Sequence, residues 1–217
     1  MDVTVKPILR GYSHAAGAVL AVAATLDLVA LTRGDPPKAI SMLIYGASMV
    51  VLLGMSAVYH VFNWRPGVRA VLRRIDHADI FLFIAGTYTA IGFNAFAGWW
   101  RVAILGSVWL LTVAGIAAVS PTVRLPRWGL ALIYVGIGWV GVAAVPEIVN
   151  SLGAVPLLLV LIGGVAYSLG AASYALRWPR LWPRVFGYHE VFHLMVLLAS
   201  AAFFAVVLLY VVPYPRR

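Results

Sequence analysis

Seven times along this chain, a run of about twenty positions carries almost nothing but apolar side chains. A helix that crosses the hydrocarbon core of a bilayer needs about that many. The runs therefore predict seven membrane-spanning helices: Ser13–Leu31, Ala39–Val61, His77–Ala97, Val102–Val119, Trp128–Val145, Ala154–Leu176 and Tyr188–Val212. Each stops at residues that break helices or prefer water: Gly34-Asp35-Pro36-Pro37, Arg65-Pro66-Gly67, Gly98 before Trp99-Trp100, Pro121 and Pro126, Pro146, then Pro179 and Pro183. The fifth run is short and rich in glycine (Gly129, Gly136, Gly138, Gly141), as is usual where membrane helices pack closely. The first resembles a secretory signal, with Lys6 and Arg10 ahead of Ala21-Val22-Ala23. It continues past that site to Leu31 and is read as a retained span. The expected architecture is one all-α domain over residues 1–217, with no soluble domain, low-complexity tract or internal repeat.

Composition agrees: 63% of residues are apolar and 11% charged, against roughly 25% charged in a soluble domain. The net charge of +9 sits in short loops, where it sets membrane orientation rather than attracting nucleic acid. Lys6, Arg10, Arg65, Arg69, Arg73, Arg74, Arg124, Arg127, Arg177, Arg180 and Arg184 fall on one side. Arg33, Lys38, Arg101, Arg216 and Arg217 fall on the other. The positive-inside rule then predicts a cytoplasmic N-terminus and an external C-terminus in a multi-pass membrane protein. Membrane lipids are its expected partners. The sequence points to no protein partner.

With that alternation, His14, His60, His77, His189 and His193 all lie at the cytoplasmic face. The chain has no cysteine, so any metal must be held by imidazole, carboxylate or hydroxyl groups. His189 and His193, at i and i+4, share a helix face about 6 Å apart and form a two-imidazole claw. His60, at the end of the second run, can supply a third ligand. Three histidines with one open position are the arrangement of a catalytic zinc site. Ser56 lies one turn deeper than His60, and Asp76 follows after a short loop. Each residue also has a plainer reading. The claw can be two interfacial histidines. Asp76 and Asp79 resemble a helix N-cap followed by an acid, and Ser56 can bond the carbonyl of Leu52. His14 and His77 are expected at headgroup level. Glu190 is rotated about 100° from His189 and suits the helix N-terminus. Asp27 lies near the external end of the first run, where packing on another helix or a water pocket is the default.

Ser-Ala-Val-Tyr-His (56–60), Ile-Asp-His-Ala-Asp-Ile-Phe-Leu-Phe-Ile-Ala-Gly-Thr-Tyr-Thr (75–89) and Gly-Tyr-His-Glu-Val-Phe-His (187–193) resemble the three signature regions of the haemolysin III family. That family is the bacterial branch of the progestin and adipoQ receptors, which include the adiponectin receptors. The resemblance covers essentially the whole chain. It implies an intramembrane zinc on His60, His189 and His193, with Ser56 and Asp76 beside it and reaching it through water. The family is similar at this site to the alkaline ceramidases, which implies lipid amide hydrolysis. Its bacterial members are associated with cytolysis and membrane fluidity. One departure stands out. Many relatives carry an acid and an asparagine ahead of the first-helix histidine, where this chain has Arg10-Gly11-Tyr12-Ser13-His14.

Four functions are compatible with these residues. The first is a zinc-dependent hydrolase of membrane lipid amides or esters, with Asp76 as base or water-positioner and Ser56 orienting the water. The second is a non-catalytic sensor or regulator of membrane state in which zinc clamps the second and seventh helices. The third is a cytolysin, against which no helix shows the regular polar stripe of an aqueous pore. The fourth, bis-histidine haem binding, would leave Ser56 and Asp76 without a role.

Overall fold

The structure is a computed structural model that describes residues 10–119, 125–182 and 185–216. Of the residues invoked above, Lys6, Pro121, Arg124, Pro183, Arg184 and Arg217 lie outside it. The described chain is helical: α1 Tyr12–Leu31, α2 Pro36–Val61, α3 Pro66–Ala95, α4 Gly98–Ala118, α5 Arg127–Gly138, a 3-10 segment Trp139–Ala144, α6 Val145–Leu152, α7 Ala154–Leu176 and α8 Tyr188–Val206. A π-helical turn, Val207–Val211, finishes α8. Counting α5 through α6 as one span, 7 helices are long and apolar enough to cross a membrane.

The helices pack in a ring around α3. Neighbours in sequence lie side by side from α1 to α4, α5 and α6 pack on α7, α7 packs on α8, and α8 returns to α1. The central place of α3 shows in its burial, 67% of its apolar window against 17% for α1. Small residues allow the close approach. A Cβ on Gly46 would strike Thr25 of α1, one on Gly86 would strike Ser48 of α2, and one on Gly115 would strike Phe81 of α3. Without water to drive apolar association in a bilayer, such van der Waals contact is what holds helices together. The large side chains left outside, among them Val19, Leu20, Leu110 and Leu158, face outward, as expected in hydrocarbon.

Two expectations need correcting. The third helix starts at Pro66, not His77. Its 30 residues span about 45 Å, well beyond a hydrocarbon core of about 30 Å. The apolar window missed the extra turns because Arg69, Arg73 and Arg74 dilute it, yet arginine is a good helix former and nothing interrupts the helix before Pro66. Asp76 and Asp79 are therefore interior residues of α3, not its cap. The fifth span likewise passes Pro146 and ends at Leu152. Pro146 cannot donate to a preceding carbonyl, so the helix tightens to 3-10 geometry and restarts with that proline in its first turn. Backbone loosened inside a membrane must find partners in the protein. Tyr88 supplies them: its hydroxyl donates to Gly138 O and accepts from Gly141 N, both at 2.6 Å.

Candidate metal centre

The last turn of α2 and the first turn of α8 meet at one end of the bundle. On α2, Ser56 and His60 are one turn apart and both buried. On α8, His189 and His193 share the face turned toward them. The entry into α8 is fixed from both sides. Glu190 accepts from Gly187 N at 2.8 Å, closing the first turn, and its other oxygen takes the Arg10 guanidinium at 2.7 Å. The helix-terminal place expected for Glu190 is the one observed.

His60 Nε2 and His189 Nε2 stand 3.2 Å apart. One nitrogen from each of His60, His189 and His193 can be chosen so that all three lie within 4.8 Å of one another. Two nitrogens on one tetrahedral zinc, each about 2.0–2.1 Å from it, would be about 3.3 Å apart. The three imidazoles therefore fit a small divalent ion, with the His60–His189 edge already at that spacing and His193 needing only a modest ring adjustment. The pairwise ring-centroid distances are 4.6, 5.0 and 4.7 Å.

Asp76 approaches from α3, its Oδ2 3.7 Å from His60 Nε2. That is too long for a hydrogen bond and leaves Oδ2 as an acceptor beside the cluster. Ser56 does not bond the Leu52 carbonyl, and no described residue accepts from or donates to its hydroxyl. Both residues line the end of a cavity of about 160 Å³. From there the cavity follows α3 through Ile80, Ile84 and Thr87 to Ile91, about 22 Å along the helix, with α5 and α7 forming the far wall. Its deeper hydroxyls are spoken for. Thr87 donates to Phe83 O, Tyr134 to His77 O, and Tyr167 pairs with Ser200. Uncommitted polarity in the cavity is thus concentrated at the end that holds Ser56, Asp76 and His189.

The remaining histidines pack against the same end of the bundle. His14 is buried, 2% exposed, and stacked on His193. His77 is half-buried on α3, its ring 6.4 Å from that of Tyr174. Tyr174 in turn packs edge-on against His189 at 5.7 Å. Asp79 is 1% exposed, and neither carboxylate oxygen has a hydrogen-bond partner among the described residues. Asp27 is exposed on α1.

Residues 3–204 match the family described as Haemolysin-III related. The chain belongs to the haemolysin III family. Among curated proteins it is 32% identical to Hemolysin-3 of Bacillus cereus over 213 residues, covering 96% of this chain and 93% of that one. It is 30% identical to a Hemolysin-3 homolog of Bacillus subtilis (strain 168) over 212 residues, covering 97% and 96%. The seven apolar helices fit a multi-pass bacterial inner-membrane protein. In this haemolysin III chain, the three histidines read from sequence stand together as a cluster able to hold a metal ion. Sequence reasoning missed His14 and Tyr174. The one signal for His14 was its position, at the same end of the bundle as the other histidines.

Proposed function

We propose that the protein is a zinc-dependent hydrolase that cleaves amide or ester bonds of membrane lipids and so serves membrane homeostasis. It would sit with its N-terminus in the cytoplasm and its C-terminus outside. The observation that carries this reading is the polarity of the cavity. A long apolar slot matches an acyl chain, and its one end with uncommitted polar groups lies against a metal-competent cluster and a carboxylate. A simple structural clamp has no need of such a slot.

His60, His189 and His193 would hold the zinc. When bound, zinc supplies Lewis acidity and makes water acidic enough to deprotonate near neutral pH. Asp76, whose Oδ2 lies 3.7 Å from His60 Nε2, would take a proton from the attacking water and pass it to the departing amine or alcohol. The water oxygen joins the acyl carbon, the C–N or C–O bond breaks, and a fatty acid leaves with the amine or alcohol. The Ser56 hydroxyl can both donate and accept, and orients that water. The apolar walls hold the acyl chain so that its carbonyl stays at the polar end.

The test is turnover of N-acyl and O-acyl lipids by protein purified in detergent. Hydrolysis should vanish on zinc chelation and return on zinc addition. Protein carrying one zinc per chain that turns over no lipid in the panel would refute the hydrolase and leave zinc as a clamp between α2 and α8.

A further inference from the structure

The segment Arg10–His14 touches both helices that supply the candidate ligands. Arg10 Nε reaches Glu190 in the first turn of α8 at 2.7 Å. Gly11, at φ +89°, lies against the end of α2, and a Cβ there would come within 2.8 Å of His60 Cβ. His14 lies flat on His193, with ring centroids 3.9 Å apart and planes 13° from parallel, and its Nε2 meets His193 O at 3.3 Å. A carbonyl only accepts, so Nε2 of His14 carries the hydrogen.

The ring of His193 needs such support. A metal-bound imidazole ordinarily donates its second nitrogen's hydrogen to a carboxylate or carbonyl, which fixes the ring's orientation. His193 is 1% exposed, and its Nδ1 has no hydrogen-bond partner among the described residues. With Nε2 toward the metal, Nδ1 lacks the usual tether. The orientation must come from packing, and the flat contact available is His14. The hydrogen bond to His193 O ties the same residue's backbone to α1, so ring and main chain are held together.

We propose that Arg10–His14 is the back wall of the metal centre, with His14 the positioning residue that presets His193 for zinc. Gly11 is required there because α1 must begin against His60 in a backbone conformation and a space that admit no side chain. Arg10 steadies the entry of α8 through Glu190. The inference rests on the three-histidine reading proposed above and adds the element that sets its affinity.

The experiment measures zinc affinity by competition with a chromophoric chelator, and melting temperature with and without zinc, in the full-length protein in detergent. Loss of a group that orients a metal ligand typically costs 10–100-fold in affinity. His14→Ala should therefore weaken zinc by about that factor and shrink the rise in melting temperature that zinc produces. His14→Phe keeps a flat ring, should fold where His14→Ala does not, and should regain part of the affinity. Gly11→Ala should weaken zinc as well, by displacing His60. A purely structural segment would instead lower both melting temperatures equally and leave zinc affinity unchanged, which overturns the proposal. If the unaltered protein takes up no zinc, the three-histidine reading fails and this proposal with it. If it binds zinc and both His14 variants bind equally tightly, only the back wall fails.

Discussion

Replacing Asp76 by asparagine separates a catalytic carboxylate from a structural one. Asp76 lies inside α3, well past the first turn at Pro66, so no N-cap is lost with it. Aspartate and asparagine have nearly equal helix propensity, and the largely buried side chain, 13% exposed, is replaced by an isosteric amide. The change in stability should stay below about 1 kcal/mol. Zinc should be retained, because Asp76 stands 3.7 Å from His60 Nε2 and is read as outside the ligand set. What disappears is the proton acceptor. General-base catalysis typically contributes 10²–10⁴-fold, or about 3–5 kcal/mol of barrier. Initial rates on a lipid amide should fall by that factor, with zinc content and melting temperature near those of the parent. Full activity in Asp76→Asn would remove Asp76 as the base. Loss of zinc in the same variant would make Asp76 a direct ligand.

His189→Ala or His193→Ala should each abolish stoichiometric zinc, since two remaining imidazoles hold the ion weakly; elemental analysis showing unchanged zinc in both variants would end the three-histidine site. Reporter fusions at the C-terminus should read as external and fusions after Arg65 as cytoplasmic. A cytoplasmic C-terminus would contradict the proposed orientation. At the opposite end of the bundle, buried Lys38 donates from Nζ to Val211 O, Val212 O and Tyr214 O at 3.2, 3.0 and 2.5 Å. Lys38→Met keeps the apolar stem and removes the charge-assisted bonds, so it should cost about 2–3 kcal/mol, seen as a lower melting temperature in detergent. An unchanged melting temperature would mean that those carbonyls find other partners.

The number of spans and the three candidate ligands were legible because both rest on local signals. Apolar runs report length directly, and the spacing of His189 and His193 is one helical turn. That His60 joins them followed from counting helices, which puts the end of α2 and the start of α8 at the same face. The start of α3 was not legible, because a helix leaving the membrane loses its apolar signature while keeping its geometry. The passage through Pro146 was hidden for a related reason: proline marks a break, and only Tyr88, distant in sequence, shows that the break is satisfied inside the bundle. The stack of His14 on His193 and the cavity between α3, α5 and α7 depend on how helices rotate about their axes. A single sequence read for runs and spacings carries little of that information. Glu190 was the exception, since helix periodicity alone turned it away from the histidines and toward the cap it forms.

The central claim is that His60, His189 and His193 hold one zinc with a coordination position left for water and substrate. X-ray absorption at the zinc edge on purified protein tests it most directly. The account predicts about one zinc per chain with three imidazole nitrogens and one non-protein oxygen at about 2.0–2.1 Å. No zinc, or a fourth position closed by a protein ligand, would contradict it.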